Sequence, residues 1–434
     1  MKPTRPGRVS PRSLRGTARV PGDKSISHRA LILSGLAAGR STIAGSNRGA
    51  DVTATARIMG ALGVTIGRGE AEGQVNVESS GRRSLREPEG ILDAGNSGTT
   101  LRTMLGVCAG IDGLFVVTGD ESLRTRPMLR VVSPLRQMGA AIDGRAQGDL
   151  APLAVRGGDL TGIDFESAIA SAQVKTGVLL AGLAASGRTS VTEPALSRDH
   201  TERMLAASGV AVVRDGLSVA VEGGAEVEPL HWRVPGDPSA AMFLLVAAAL
   251  VPGSDLVIEG IALNPTRTAG IEILRRMGAD LTVEPTGQAN GEPVGDVRVR
   301  TSPLQGISIG QAEVPALIDE IPALAIAAAR ADGETVITGA SELRVKESDR
   351  IAALTRGLRI LGADAEELPD GLVVRGPSAF GGGTVESFGD HRIAMAFAVA
   401  GLVATEVVTV REWSCVETSF PRFLETIERA QEGG

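Results

Sequence analysis

The sequence predicts an α/β protein of two domains, each built from three βαβαββ units around a pseudo-threefold axis. The chain has 434 residues, more than one hydrophobic core ordinarily serves. A polar opening, an Ala/Leu-rich helical stretch, a Gly turn and a β-branched strand recur six times, from residues 24, 95, 171, 236, 319 and 390. A second helix that ends in Gly lies between successive openings, so each copy carries two helices.

The same pattern places the elements of each copy. Apolar stretches of helical length predict the six opening helices at residues 30–38, 101–109, 177–185, 240–250, 323–329 and 393–403. Runs rich in β-branched residues predict the strands that follow at 41–43, 114–117, 189–191, 256–258, 335–337 and 407–410.

The size of the repeat decides how the copies are arranged. Solenoid repeats are usually about 20–50 residues long, whereas these copies are roughly 70 residues apart and can cluster as three plus three. Two breaker clusters, Pro21-Gly22 and Pro235-Gly-Asp-Pro238, mark the crossover points. The predicted domains are therefore residues 21–235 and residues 1–20 plus 236–434.

Composition narrows the function. The net charge of −7 gives no reason to expect nucleic acid, and an anionic ligand would need a local basic patch. Cys108 and Cys415 form neither a disulfide framework nor a metal motif. The longest apolar run, 240–251, is too short to cross a bilayer, and residues 1–10 lack the apolar stretch of a secretory signal. We expect a cytoplasmic, monomeric protein without a membrane partner.

Polar residues gather where each repeat enters a helix. The first amides of a helix lack partners and its dipole favours anions, so several helix starts facing one cleft would bind anions. For any single opening, N-capping is the simpler explanation. Capping does not explain the cations beside the caps, which oppose the dipole: Lys24, Arg29, Arg102, Lys175 and Arg392. Together they predict phosphate and carboxylate ligands.

Three other segments add charge. An Arg-X-Arg such as Arg124-Thr-Arg126 is usually part of a solvated loop, and a surface helix with ion pairs is the commoner explanation for residues 343–350. Asp319-Glu320 is explained equally well as helix caps or as part of a site. If these three segments belong to a functional site, their cations would bind phosphorylated ligands and their carboxylates would transfer protons. No metal cluster, phosphate-binding Gly-Lys-Ser/Thr loop or dinucleotide fingerprint is present in the sequence. We expect no cofactor and no metal.

Four segments give the sequence a specific resemblance. Residues 21–30 (PGDKSISHRA), 95–102 (GNSGTTLR), 344–350 (RVKESDR) and 390–392 (DHR) are similar to the signatures of 5-enolpyruvylshikimate-3-phosphate synthases, over essentially the full chain. The resemblance implies the enolpyruvyl transferase fold, two domains of three βαβαββ units closing on substrate. It also implies transfer of the enolpyruvyl group of phosphoenolpyruvate to shikimate 3-phosphate, a step of aromatic amino acid biosynthesis.

The resemblance also implies residue roles. Shikimate 3-phosphate is expected at Lys24, Ser25, Arg29, Ser171, Ala172, Gln173, Arg198, Asp319 and Lys346. Phosphoenolpyruvate is expected at Lys24, Asn96, Gly98, Arg126, Gln173, Arg350 and Arg392. By the same resemblance, Asp319 accepts the 5-hydroxyl proton, Glu347 protonates the methylene carbon, and Lys24 assists.

Several positions resemble the class II branch of the family, and some depart from familiar patterns. Ala172 stands where many class I members have a second Ser, and Glu417-Thr-Ser-Phe-Pro421 lacks the class I Lys. Arginines must then carry that part of phosphate binding. Gly98 stands where glyphosate-tolerant class II members have Ala, whose methyl crowds the inhibitor. The class II motifs favour tolerance to glyphosate, whereas Gly98 favours sensitivity; of the two, we expect measurable sensitivity.

Three alternatives remain. UDP-N-acetylglucosamine enolpyruvyl transferases have Lys-Asn where this chain has Lys24-Ser25, and usually a reactive Cys in a mobile loop; here Cys108 lies in an apolar helix and is expected in the core. RNA 3′-phosphate cyclases carry a His-nucleotide signature that is absent from the sequence. A repeat-built scaffold would bind phosphorylated metabolites without turning them over.

Overall fold

The computed structural model describes residues 12–70 and 73–433. The first ten residues, in which we expected no secretory signal, lie outside this range. The described chain divides into two compact units. We call residues 22–234 with 288–292 the N-terminal unit, and residues 12–21, 235–287 and 293–433 the C-terminal unit.

The elements follow one another in chain order. Before the N-terminal unit comes β1 (Arg15–Ala18). The N-terminal unit then contains α1 (Lys24–Leu36), β2 (Ala38–Ala44), α2 (Ala50–Ala61), β3 (Thr65–Arg68), β4 (Val75–Ser80), β5 (Leu92–Asp93), α3 (Gly98–Ala109), β6 (Gly113–Thr118), α4 (Leu129–Gln137), β7 (Ala141–Gly144), the single turn α5 (Arg145–Gly148), β8 (Leu150–Gly157), β9 (Asp164–Glu166), α6 (Ala172–Gly182), β10 (Arg188–Thr192), α7 (His200–Ala207), β11 (Val212–Asp215), β12 (Ser218–Glu222) and β13 (His231–Arg233).

The rest of the chain continues the same alternation. It contains α8 (Pro238–Leu250), β14 (Asp255–Ala262), α9 (Ala269–Arg276), β15 (Asp280–Ala289), β16 (Glu292–Arg300), β17 (Ser308–Ile309), the single turn α10 (Val314–Leu317), α11 (Ile321–Arg330), β18 (Gly333–Ile337), α12 (Arg350–Ile360), β19 (Asp364–Leu368), β20 (Gly371–Gly376), β21 (Gly383–Glu386), α13 (His391–Gly401), β22 (Val408–Arg411) and α14 (Phe423–Glu432).

The N-terminal unit contains three four-stranded sheets of one topology. Their orders are β13-β2-β4-β3, β5-β6-β8-β7 and β9-β10-β12-β11. In each sheet the first pair is parallel and the other two pairs are antiparallel. Chain order within a sheet is therefore βαβαββ, except that the parallel strand beside β2 is β13, which comes from the far end of the segment.

The C-terminal unit repeats this topology twice in full. The orders are β1-β14-β16-β15 and β17-β18-β20-β19, and β1 lies parallel to β14 although about 240 residues separate them in the chain. The sixth sheet has only β21 and β22, and within the described residues no strand follows α14. The predicted fold class is confirmed, and the sixth copy is shorter than predicted because it stops at its second helix.

Helices with small side chains form the centre of each unit. In the N-terminal unit α3 packs against α6 and α1, and in the C-terminal unit α8, α11 and α13 pack against one another. A Cβ added to Gly106 would lie 2.0 Å from the carbonyl oxygen of Gly177, so α3 and α6 meet at backbone distance. Cys108 is fully buried on α3, and burial raises the pKa of its thiol to about 12, so the core role predicted for it is confirmed.

The domain boundaries differ from the sequence-based ones by one residue at Pro21 and at Pro235, which both lie in the C-terminal unit, and by one short segment. Residues 288–292 belong to the N-terminal unit, although sequence placed them with the C-terminal half. Asn290 accepts from the backbone N–H of Arg233 at 2.8 Å and donates to the carbonyl of His231 at 3.2 Å. Glu292 accepts from the buried ring of His200 at 2.7 Å. These bonds hold the turn between β15 and β16. None of the helices in the described part of the chain is long and apolar enough to span a membrane.

Candidate active site

The N-terminal unit presents its site residues at three helix starts. Lys24 is the first residue of α1, whose N-cap Asp23 accepts from the backbone N–H of Ile26. The Lys24 ammonium group lies 2.9 Å from the carboxylate of Asp51 on α2, and both side chains are mostly buried. An ammonium at a helix start is opposed by the dipole, and the carboxylate compensates for this. Ser25, the next residue, is half-buried.

Arg29 extends from the same helix into the unit and is held at three points. Its guanidinium donates to the hydroxyls of Thr201 and Thr176, both at 2.7 Å, and to the carbonyl of Ser25 at 3.0 Å. Burial lowers the pKa of Arg29 to about 10, and the positive charge of Arg198 adds to this although nearby carboxylates oppose it. Since the charge of Arg198 acts on Arg29, an anion bound between them would be stabilised by both.

At the second helix start, Asn96 precedes α3 and is hydrogen-bonded to Arg126. A guanidinium nitrogen of Arg126 donates to the amide oxygen of Asn96 at 2.7 Å and to the hydroxyl of Ser122 at 3.2 Å. The amide nitrogen of Asn96 donates in turn to Asp120 at 2.7 Å. Arg126 is only 7% exposed, so its charge is directed within the unit rather than towards bulk solvent.

Gly98 begins α3, directly after the N-cap Ser97. A Cβ at position 98 would lie 2.8 Å from a guanidinium nitrogen of Arg102 and 3.5 Å from one of Arg126. The backbone here is thus in reach of two cations, and an alanine methyl would press on Arg102. Since the first amides of α3 point away from the helix at this end, Gly98 lies where an anion is favoured.

The third helix start, α6, is tied to the second. Arg102 donates to the amide oxygen of Gln173 at 2.7 Å, and the amide nitrogen of Gln173 donates to the hydroxyl of Thr99 at 2.9 Å. Ser171 is the N-cap of α6, and Ala172 is its first helical residue. Gln173 therefore has a fixed orientation, set by one donor and one acceptor on α3.

Lys175 corrects one sequence-based interpretation. We expected it beside Gln173 as a cation for an anionic ligand, but its ammonium group is buried against Glu193 at 2.7 Å and Glu202 at 2.8 Å. The side chain is 3% exposed. One turn of helix carries Lys175 away from the helix start and into the unit, where two carboxylates neutralise it.

The C-terminal unit gathers its site residues around Asp319. A carboxylate oxygen of Asp319 lies 3.3 Å from nitrogens of both Arg350 and Arg392. Arg392 also donates to the backbone carbonyl of Asp319 at 3.0 Å. The Asp319 side chain is 17% exposed, so it remains open to a ligand while two arginines orient it.

Arg350, at the start of α12, is the centre of this cluster. It donates to Asp390 at 2.7 Å and to Glu347 at 2.6 Å, in addition to Asp319. Burial by itself lowers the pKa of Arg350, but the charges of Asp390, Glu347 and Asp319 outweigh this and raise its pKa above the ordinary value. Arg350 is 1% exposed and permanently charged.

Lys346 lies in the loop before α12. Its ammonium group is 3.7 Å from Glu342, and the negative charges of Glu342 and Asp319 favour its charged form. Burial nevertheless lowers the pKa of Lys346, and the charge of Arg350 lowers it further. The structure therefore brings Lys346, Asp319 and Arg350 into one electrostatic cluster.

Two residues of these clusters were missed from sequence. Asp51 pairs with Lys24, and no motif marked it. Asp390 was quoted as part of a signature but given no role; it caps α13 by accepting from the backbone N–H of Arg392 and also binds Arg350. Its position before a helix was the available signal. In the described residues no group of three or more His, Cys, Asp or Glu is placed to hold a metal ion.

Comparison with known proteins decides the family. The family model for EPSP synthase (3-phosphoshikimate 1-carboxyvinyltransferase) matches residues 9–427. The chain belongs to the EPSP synthase family. A 3-phosphoshikimate 1-carboxyvinyltransferase of Gloeobacter violaceus is 54% identical over 422 residues, covering 97% of this chain and 98% of that protein. One from Desulforudis audaxviator is 52% identical over 416 residues, covering 96% and 97%.

Solved structures agree with this assignment. An EPSP synthase structure from Acinetobacter baumannii matches with a TM-score of 0.86 at 45% identity, covering 96% of each chain. The enolpyruvyl transferase NikO of Streptomyces tendae matches with a TM-score of 0.79 at 17% identity over 97% and 96% of the chains, which shows the shared fold alone. The resemblance inferred from four motifs is confirmed, and the chain is a carboxyvinyltransferase of the EPSP synthase family.

Proposed function

We propose that this carboxyvinyltransferase uses both clusters in one reaction, moving the enolpyruvyl group of phosphoenolpyruvate to the 5-hydroxyl of shikimate 3-phosphate. The observation that carries the proposal is Asp319, a partly exposed carboxylate oriented by Arg350 and Arg392. Such a group can accept a hydroxyl proton, while cations beside it offset the charge of anionic substrates.

The helix starts of the N-terminal unit supply much of the anion binding. Shikimate 3-phosphate is proposed to contact Ser25, Arg29, Ser171, Ala172, Gln173 and Arg198, together with Lys24, Asp319 and Lys346. The influence of the Arg198 charge on Arg29 supports a phosphate group at this place, because an anion offsets the repulsion between two cations. Ala172 offers its backbone amide alone, where a serine would add a hydroxyl.

Phosphoenolpyruvate is proposed to contact Asn96, Gly98, Arg126 and Gln173, together with Lys24, Arg350 and Arg392. The bond from Arg126 to Asn96 supports this, because it aligns a donor next to the free amides of α3. No side chain at position 98 separates those amides from the ligand. Arginine is suited to the carboxylate and phosphate groups of this substrate because it binds both in a bidentate manner.

The chemistry requires two proton movements in the addition step. As the 5-hydroxyl oxygen bonds to C2 of phosphoenolpyruvate, Asp319 takes its proton and C3 receives one, proposed from Glu347 with Lys24 assisting. The tetrahedral intermediate then loses phosphate from C2 and a proton from C3, which restores the enol ether. Lys24 is suited to offset charge on the departing phosphate because its ammonium group carries three donors.

Arg350 links the roles of the two carboxylates. Glu347 accepts from Arg350 at 2.6 Å, and Asp319 lies 3.3 Å from the same guanidinium. We propose that Arg350 directs part of its N–H donors to phosphoenolpyruvate, which loosens its bond to Glu347 and frees that carboxyl group for proton transfer. Asp319 keeps its second partner, Arg392, and so keeps its orientation.

We further propose that the protein acts as a cytoplasmic monomer, with no nucleic acid, membrane or cofactor. The absence of Lys near Thr418 leaves phosphate binding at that place to arginines.

The reaction is tested by following phosphate release with both substrates, with each substrate alone, and with the Asp319→Asn variant. Release that needs both substrates and falls at least about 100-fold in the variant supports the proposal. Release of normal rate in Asp319→Asn contradicts the role of Asp319.

A further inference from the structure

One buried carboxylate connects two of the segments proposed to bind shikimate 3-phosphate. Glu193 follows β10, and its side chain is 2% exposed. One carboxylate oxygen accepts from the backbone N–H of Ser171 at 2.8 Å. The other accepts from the hydroxyl of Ser197 at 2.8 Å, and Ser197 directly precedes Arg198. Glu193 thus holds the start of α6 and the loop before α7 at a common point.

The ammonium group of Lys175 lies 2.7 Å from the Glu193 oxygen that also binds Ser197. Lys175 is shared with Glu202 at 2.8 Å, and the other carboxylate oxygen of Glu202 is buried with no hydrogen-bond partner among the described residues. Hydrogen bonds between an ammonium group and a carboxylate are stronger than neutral ones, so Lys175 reinforces the position of Glu193. The site already described uses neither Lys175 nor Glu193.

We propose that Glu193 is a positioning residue for shikimate 3-phosphate. By fixing Ser171 and Ser197 it sets the spacing between the helix start at 171–173 and the guanidinium of Arg198. Both are proposed ligands of the same substrate, so their spacing determines how well they bind it together. Phosphoenolpyruvate shares only Gln173 with this helix start, and Gln173 is oriented by Arg102 and Thr99 on α3. Its binding should therefore depend less on this spacing. This inference rests on the substrate assignment proposed above.

The chemistry of the three bonds makes glutamine a sharp probe of Glu193. Every partner of the Glu193 carboxylate is a donor: an amide N–H, a hydroxyl and an ammonium group. A glutamine side chain has one acceptor oxygen, and its nitrogen only donates. With the amide nitrogen towards Ser171, two N–H groups face each other and the start of α6 is released. With the amide nitrogen towards Ser197, it faces the ammonium group of Lys175, which cannot accept, and the Ser197 hydroxyl must turn round to accept, so the bonds on this side are weakened. Lys175 keeps Glu202 as a partner, so the substitution does not leave its charge buried alone.

The test compares Glu193→Gln with wild type by steady-state kinetics and by calorimetric titration with shikimate 3-phosphate. We expect KM and Kd for shikimate 3-phosphate to rise about 10-fold or more, with KM for phosphoenolpyruvate changed less than about 2-fold. Glu87→Gln is the control, because Glu87 also accepts a backbone N–H, that of Leu114 at 2.7 Å, but contacts no proposed ligand. It should leave both KM values unchanged.

Equal changes in both KM values, or no change in a folded Glu193→Gln protein, overturn the proposal. If Glu193→Gln does not fold, the Ser197→Ala variant tests the proposal instead. It removes only the hydrogen bond from the Ser197 hydroxyl to Glu193, next to Arg198. A rise of about 3-fold in KM for shikimate 3-phosphate alone then supports the proposal, and unchanged values contradict it. Failure of the substrate assignment is recognised separately, because wild-type protein would then not bind shikimate 3-phosphate.

Discussion

The ammonium group of Lys24 lies 2.9 Å from the carboxylate of Asp51, and the two side chains come from the first turns of α1 and α2. The pair places a positive charge at a helix start, where the helix dipole opposes it. Asp51 therefore holds the ammonium group of Lys24 in position before any substrate is bound.

The first prediction concerns this pair. Lys24→Ala should lower kcat at least about 10²–10³-fold, because Lys24 is proposed to contact both substrates and assist proton transfer. Asp51→Asn keeps a polar partner but removes its charge, so the loss should be smaller. Steady-state phosphate release measures both, with circular dichroism as the control for folding. Near-normal activity of Lys24→Ala would contradict the mechanism.

The second prediction concerns Gly98. A methyl at this position would lie 2.8 Å from the Arg102 guanidinium, which itself binds Gln173 at 2.7 Å. Gly98→Ala should therefore raise KM for phosphoenolpyruvate several-fold by displacing Arg102. Wild-type protein should be inhibited by glyphosate in competition with phosphoenolpyruvate, and Gly98→Ala should be inhibited less.

A matched control for this glycine lies on α2. Apart from its own helix, a Cβ at Gly60 meets no atom of the described residues within 4 Å, so Gly60→Ala should leave KM and inhibition unchanged. Absence of inhibition of wild-type protein at millimolar glyphosate would refute the expected sensitivity. Equal kinetics for Gly98→Ala and wild type would show that Arg102 does not matter for the ligand.

The third prediction is a pH dependence from Lys346. Burial lowers the pKa of Lys346 below the ordinary lysine value of 10.5. Above the lowered pKa the folded protein loses this charge, so KM for shikimate 3-phosphate should rise on the alkaline side. Lys346→Arg should delay that rise, because arginine stays protonated. A rise at the same pH in both proteins would exclude Lys346 as its source.

The lowered pKa of Lys346 affects stability in the opposite direction: as pH rises, substrate binding weakens but the folded state becomes more stable relative to the unfolded chain. Between the lowered pKa and 10.5 the unfolded chain binds a proton at Lys346 that the folded protein does not bind. The free energy of unfolding therefore gains from this group as pH rises through that window. Denaturant unfolding of wild type and Lys346→Met across the window measures the contribution, which should vanish in the variant.

The fourth prediction concerns the stability provided by Arg350. Arg350→Met leaves Asp390, Glu347 and Asp319 without their shared partner, and Asp390 is fully buried. Removing one member of a buried ion pair costs about 3–5 kcal/mol, so the melting temperature should fall clearly. Arg298→Met serves as control.

Arg298 binds Asp255 with two bonds of 2.7 and 2.6 Å, but both residues are exposed to solvent. Exposed pairs contribute little, so its loss should hardly change the melting temperature. Similar melting temperatures for Arg350→Met and Arg298→Met would mean that the three carboxylates around Arg350 rearrange without cost.

Local patterns were enough to predict the repeated fold. The polar openings were placed outside the helices, yet the helices begin within them, as at Lys24 and Ala172. The reason is N-capping: Asp23 and Ser171 accept from backbone amides and extend the helix towards the polar residues. The sequence pattern at the sixth opening did not predict that the sixth sheet has only two strands.

The site could be predicted only through residue types and motifs. The spacing of residues does not reveal that Lys175 is neutralised by Glu193 and Glu202, because those partners lie 18 and 27 residues further along the chain. Nor does it reveal that Asp51 faces Lys24. Partner choice inside each unit depends on how the helices pack, which local periodicity does not determine.

The most direct test of the central claim is phosphate release from phosphoenolpyruvate with two acceptors in parallel, shikimate 3-phosphate and UDP-N-acetylglucosamine. We predict release with shikimate 3-phosphate, none with UDP-N-acetylglucosamine, and none with phosphoenolpyruvate alone. Turnover that requires UDP-N-acetylglucosamine, or binding of shikimate 3-phosphate without any phosphate release, would contradict the account.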